Sequence, residues 1–177
     1  MPSPDSDSGR RGGPSGPPTD VLPGRKPAPR LRSFSYRGFY AYSLTLAAHR
    51  RERYFIRAAD VEVLLSLLLG AADTQGFRVW AYCFMPDHLH IVVEGKEPDA
   101  SLPEFLRVFK QRSAHVFRQR YGKMLWQRSY FDHVLRKDED IQGVVRYIFE
   151  NPVREGMIED FRRFPFSGPP EILEALS

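Results

Sequence analysis

The sequence predicts an α+β fold: a ferredoxin-like (RRM-like) antiparallel sheet of the split βαβ type, with helices on one face and a further helix at the C-terminal end. Three observations predict it. Segments with strand-like and helix-like hydrophobic periods follow one another in the order β-α-β-β-α-β, with a helix after them. The two middle strand segments are separated only by Met85-Pro86-Asp87, a turn short enough to make them a hairpin. A chain of 177 residues, 42% of them hydrophobic, supplies one packed core and too little for two.

Each element has its own warrant. Residues 39–48 (FYAYSLTLAA) alternate aromatic, hydroxyl and aliphatic side chains as a half-buried strand does. Arg57 to Gln75 is rich in Leu and Val at helical spacing, and Gly76 stops it. Phe77 to Phe84 and His88 to Glu94 form the hairpin strands. Ser101 to Tyr121 reads as a helix with Ser101 as its cap and Gly122 as its end. Leu125 to Leu135 reads as the fourth strand. Asp138 to Asn151 reads as a helix that starts in acidic residues, which suit its N-terminal dipole, and ends at Pro152. The first 33 residues, dominated by Pro, Gly, Ser and charge, offer nothing to bury against the entropy of ordering and read as a disordered basic arm. The ordered domain is expected over 34–166, and 167–177 as a tail with a short helix after a Pro-Pro break.

Composition removes several classes of function. The single cysteine, Cys83, excludes a disulfide framework and a Cys-built zinc site, and fits a reducing, cytoplasmic setting. No apolar run approaches the ~20 residues that span a bilayer, and the N-terminus carries no secretion signal. The net charge of +4 points to an anionic partner, but most of it sits in the arm. A nucleic-acid reading therefore has to rest on clustering in the body. Such a cluster runs from Glu104 to Arg128, where Arg107, Lys110, Arg112, Arg118, Arg120, Lys123 and Arg128 face a single acid. Phe117, Tyr121 and Trp126 are interleaved, and cations suit phosphates while aromatic faces suit unstacked bases. A solvated helix face has the same composition. Trp126 also has a core alternative, and Arg118 and Arg120, two apart on a helix, cannot share one groove.

Two candidate sites carry chemistry. On a strand, His88 and His90 project to one face while Leu89 enters the opposite layer, so two imidazoles can share a divalent metal. Two hydrogen-bonded core histidines would present the same pattern. On the last helix, Ile141, Val144, Val145, Ile148 and Phe149 form the core stripe, and Tyr147 lies well off it. Asn151 follows one turn later on the same flank, and Gly143 one turn earlier leaves space for the phenol. A nucleophile beside a metal-bound group would look like this, and so would a half-exposed helix tyrosine. Asp132 and His133 are a further candidate pair behind a metal.

Three segments taken together, MPDHLHIVVE, LWQRSYFDHVLR and YIFENPVREGMI, resemble the single-tyrosine HUH transposases (IS200-like), most closely their REP-associated tyrosine transposase branch. The resemblance covers roughly residues 36–166. It implies that His88, His90 and Asn151 hold a catalytic divalent metal, magnesium or manganese, and that Tyr147 is the nucleophile. Many members of the wider group have Gln where this chain has Asn151, and the shorter amide keeps the same donor and acceptor chemistry. The implied activity is cutting and rejoining of single-stranded DNA near imperfect, repetitive palindromic hairpins through a 5′-phosphotyrosine, in the bacterial cytoplasm or nucleoid, by a monomer or a homodimer. The implied DNA-binding set is Arg107, Lys110, Arg112, Arg118, Trp126, Gln127 and Arg128. Two other readings stay open: a non-catalytic hairpin-binding module of the same fold, and a metal nuclease that uses water.

Overall fold

The computed structural model describes residues 34–135 and 140–176. The basic arm at 1–33 and the expected helix start at Asp138 lie outside the described residues.

Five strands form one antiparallel sheet: β1 (Ala41–Ala47), β2 (Phe77–Met85), β3 (His88–Gly95), β4 (Phe131–Leu135) and β5 (Ser167–Gly168), in the order β4-β1-β3-β2-β5. Helices α1 (Ala58–Thr74) and α2 (Leu102–Tyr121) connect β1 to β2 and β3 to β4. The predicted α+β architecture is the observed one, and similar strand order recurs in ferredoxin-like folds.

Strand alternation divides the molecule into two cores. Leu44, Leu46, Phe84, Leu89, Ile91 and Val93 face α1 and α2, where they meet Leu64, Leu68, Phe105 and Phe109. Ala81, Cys83, Met85 and Val92 face the other way, against Val144, Val145, Ile148 and Phe149 of α3 (Ile141–Phe149). The register Thr45↔His90↔Cys83 and Ala47↔His88↔Met85 puts both histidines on this second face, as the period of two requires.

Four details differ from the sequence reading. The fourth strand begins at Phe131, not Leu125. The segment before it makes the isolated bridge Ala48↔Trp126 and then leaves the sheet toward the surface, where Lys110 Nζ donates to the carbonyls of Gln127 and Arg128. Ser101 holds the N-cap position of α2 without a side-chain cap bond. Gly122 ends that helix in the left-handed region at φ 65°, which a side chain would disfavour. Pro152 does not end the last helix: α3 yields at Glu150 to a further turn, α4 (Asn151–Arg154), which contains it. The stretch expected as a tail supplies β5, paired to Tyr82 and Cys83, and α5 (Pro170–Ala175), whose Leu173 is buried in the second core.

Candidate functional site

The two histidines at the head of β3 meet edge to face, with their Nε2 atoms 2.9 Å apart. Both are buried. What aims them is the partner of each outer nitrogen. His88 Nδ1–H donates to Asp87 Oδ1 at 2.6 Å, and His90 Nδ1 lies 3.0 Å from Thr45 Oγ1, its neighbour across the strand pair. With the proton of His88 fixed on Nδ1, its Nε2 lone pair faces His90. The hydroxyl of Thr45 both donates and accepts, so it serves either tautomer of His90.

Asp87 is itself held. Burial opposes its ionisation, yet the hydrogen bond and charge of His88 and the charge of Arg51 keep its carboxyl below the ordinary range. Arg51 Nε reaches Asp87 Oδ2 at 2.9 Å from a short 3-10 turn, His49–Arg51. Arg50 and Arg51 both adopt left-handed φ (55° and 58°), a costly conformation for residues with a side chain, and Arg51 Nη1 is buried without a hydrogen-bond partner. Both features are costs to stability that the fold carries beside the histidine pair.

His90 is held well below its ordinary value, first by burial and then by its neighbour His88 and the positive charges of Arg154 and Arg51, so it is neutral near pH 7. A neutral imidazole is what a metal ligand must be. Two nitrogens bound at ~2.1 Å to neighbouring corners of one octahedral ion lie about 3 Å apart, and the Nε2 pair matches that spacing. The residues therefore fit a divalent ion. Among the described residues no group of three or more His, Cys, Asp and Glu gathers around a point, so a third protein ligand would have to be of another kind.

Asn151 and Tyr147 form a second group, on the helices that cover this face. Pro152 has no N–H for the carbonyl of Ile148, and Asn151 Nδ2 donates to that oxygen at 3.0 Å and to the Tyr147 carbonyl at 3.4 Å. Asn151 Oδ1 accepts from Arg154 Nη2 at 2.7 Å, and the same nitrogen donates to the Tyr147 carbonyl at 3.0 Å. The Arg154 guanidinium carbon lies 3.7 Å from the centre of the Tyr147 ring. The structure thus joins His88 to His90, and Tyr147 to Asn151, and Arg154 stands between the two groups, close enough for its charge to bear on His90. Sequence reasoning missed Arg154, although Tyr147, Asn151 and Arg154 follow the i, i+4, i+7 rule of a single helix face. It also gave Gly143 the wrong neighbour: a side chain there would meet Asp140 Oδ2 at 3.1 Å, so the glycine accommodates the helix cap. Alternation along β4 sends Val134 to the first core and Leu135 to the second, so Asp132 and His133 leave the strand toward opposite faces of the sheet. Asp87 and Thr45 are the residues behind the histidines.

The basic cluster resolves into unequal parts. Trp126 is largely buried, packs on Phe55 and Phe109, and donates from Nε1 to Ser113 Oγ at 2.8 Å, so most of its ring is core while its remaining edge lines the open groove. Arg107 is engaged with Glu104 and Gln111 on the helix surface, and Arg112 is exposed. Arg120 turns to the buried Asp60, which also accepts from the Tyr121 hydroxyl. Arg118, Gln127 and Arg128 line an open groove of about 510 Å³ together with Lys110, His115 and Lys123. His115 is an addition from the structure; its position one turn before Arg118 on α2 was the available signal. The groove lies at the end of the sheet that carries the histidines, since Gln127 N donates to the carbonyl of Ala47, the register partner of His88.

Comparison with known proteins agrees with this geometry. The family model "Transposase IS200 like" matches residues 39–151. A Haemophilus influenzae protein assigned to the REP-associated tyrosine transposases is 26% identical over 152 residues, covering 77% of this chain and 82% of the relative. The REP-associated tyrosine transposase of Escherichia coli K12 is 25% identical over 118 residues, covering 67% and 70%. Among solved structures, that of a REP-associated tyrosine transposase bound to a REP hairpin superposes with a TM-score of 0.66 at 23% identity, over 79% of this chain and 82% of that one. The family match spans β1 to β4, both histidines, Tyr147 and Asn151, more than half of the sequence, and settles the assignment: the chain belongs to the IS200-like transposases.

Proposed function

We propose that this chain is a divalent-metal-dependent transposase that cuts and rejoins single-stranded DNA near hairpins, with Tyr147 as nucleophile. The observation that carries the reading is the convergence of two oriented Nε2 atoms, 2.9 Å apart, on the sheet face covered by the helix of Tyr147. The names of the two relatives and the hairpin-bound neighbour support the substrate class.

His88 and His90 would hold magnesium or manganese through Nε2, and the amide oxygen of Asn151, held by Arg154 in this structure, would be the third donor. These ligands are all neutral, so the ion's charge is left for the substrate. An ion held there would supply Lewis acidity to the scissile phosphate and to the departing 3′ oxygen. A phenol, with a pKa near 10, is a weak nucleophile at pH 7 and needs such an electrophile. Tyr147 Oη forms a bond to phosphorus as the bond from phosphorus to the 3′ oxygen breaks. The phenol gives up its proton and the leaving oxygen gains one, giving a 5′-phosphotyrosine and a free 3′-OH. Attack by a 3′-OH on the phosphotyrosine reverses the exchange and rejoins strands without a nucleotide cofactor. Arg118, Arg128 and Lys123 would track the strand's phosphates through the groove, and Gln127 would offer its amide to a base edge.

The test is a cleavage assay on labelled single-stranded hairpins with manganese or magnesium, run on denaturing gels beside Tyr147→Phe and His88→Ala. A protein–DNA adduct that survives denaturation and is lost in both variants is expected. Cutting without an adduct would replace the mechanism with a water-using nuclease, and binding without cutting in either metal would leave a hairpin-binding module.

A further inference from the structure

Arg154 makes four interactions that no packing requirement explains. Its guanidinium covers the Tyr147 ring at 3.7 Å, donates to the Tyr147 carbonyl and to Asn151 Oδ1, and stands 3.9 Å from Glu150 Oε2. About a third of the side chain is open to solvent (37%), so an incoming anion can reach it. The oxygen it occupies is the one Asn151 would offer to a cation. Its charge also bears on His90, where a positive group opposes the approach of another.

We propose that Arg154 is a positioning residue that couples DNA binding to the metal site. In the free protein it holds the Tyr147 ring and Asn151 Oδ1. When a strand enters, its guanidinium turns to a phosphodiester oxygen and releases the Asn151 oxygen toward the histidine pair. The direction of exchange follows from the partners: a phosphodiester carries a full negative charge and accepts both arms of the guanidinium fork, whereas the Asn151 and Tyr147 oxygens that Arg154 leaves are neutral. The same move places an anion where a cation had stood, so the site binds metal more tightly when substrate is present. Glu150 does not anchor the guanidinium against this, since its closest approach is long and it is shared with Arg146. This inference rests on the metal-dependent reading above and adds the order in which the site assembles.

The experiment is a manganese titration followed by the electron paramagnetic resonance signal of free Mn²⁺, with and without a single-stranded hairpin, in a Tyr147→Phe background that keeps the ring and prevents cutting. With Arg154 present, DNA is expected to tighten manganese binding by about fivefold or more, within the ordinary range of coupling between sites. With Arg154→Gln, binding without DNA becomes tighter and the effect of DNA shrinks below about twofold. Arg154→Lys keeps the charge and loses the planar fork, so it too should lose most of the coupling; it serves in place of the glutamine variant if that one misfolds. Equal coupling in the Arg154 and variant proteins would overturn the proposal. Manganese binding that ignores His88→Ala would instead overturn the metal-site reading, so the two failures are distinguishable.

Discussion

Thr45 and Asp87 decide which nitrogen of each histidine faces the site, and neither is itself placed to take part in chemistry. Thr45→Val removes the hydroxyl while keeping the branched shape, leaving His90 Nδ1 without its partner at 3.0 Å. Losing such an orienting partner costs about 10–100-fold in metal affinity. We expect the manganese concentration for half-maximal cleavage to rise by that factor, with the circular dichroism spectrum unchanged. His90 also makes a pH prediction with a definite sign. Its folded-state value lies well below the ordinary 6.5, chiefly through burial, so the unfolded chain binds a proton that the folded one refuses. Stability is therefore fully present above pH 6.5 and is lost as pH falls below it, by up to about 1.4 kcal/mol per pH unit for one proton. Denaturant titrations in a chelator between pH 7 and 5 should show this slope, and His90→Asn should flatten it. At this scale the histidine pair was legible, because a period of two needs only one strand. Thr45 was not, because its role depends on the register of a strand 45 positions away. Arg51 was not either, since nothing in its neighbours announces a left-handed backbone.

The last helix shows how one residue type organises an element. Pro152 removes the hydrogen that would have closed the turn on Ile148, and the Asn151 amide fills the gap. This is why Asn151 stands where it does, buried and facing Arg154. Pro152→Ala would restore the backbone donor, which competes with the side chain for the same carbonyl. The expected outcome is a protein whose melting temperature is unchanged or slightly higher and whose cleavage rate falls at least tenfold, about 1.4 kcal/mol in the barrier. A variant that retains full rate would show that the amide's position does not depend on the proline. The sequence marked Pro152 as a terminator because proline usually is one. Within α4 it lies in the first turn, where its missing N–H breaks no hydrogen bond of that turn, and the chain continues to Arg154. Similarly, the fourth strand was drawn too long because Leu125 and Trp126 have strand-like composition, whereas their burial beneath α2 is settled by Ser113 and Lys110, residues on a different element. Alternation and helical period identified elements; their ends were decided by partners distant in sequence.

At the scale of the molecule, the sheet separates two tasks. One face and α1 and α2 form the larger core; the other carries the histidines beneath α3 and α4; and the basic groove lies at the end where both histidines sit. The groove and the histidine pair thus share one end of the sheet. The whole-chain charge of +4 does not describe this, because cations that look alike in the sequence have different partners. Arg118 and Arg128 are exposed and line the groove, whereas Arg120 is bound to Asp60 at 3.0 Å. Each phosphate contact releases counterions, with a slope of about −0.7 per contact on single strands in a plot of log affinity against log salt. Arg118→Ala and Arg128→Ala should each weaken hairpin binding and make that slope shallower by about 0.7. Arg120→Ala should leave the slope unchanged and lower the melting temperature, because it removes the closer of the two ion pairs of a buried carboxylate. Binding isotherms at several salt concentrations for these three variants separate the two kinds of cation. A flatter slope for Arg120→Ala, matching the other two, would mean that the whole helix face and not the groove receives the DNA.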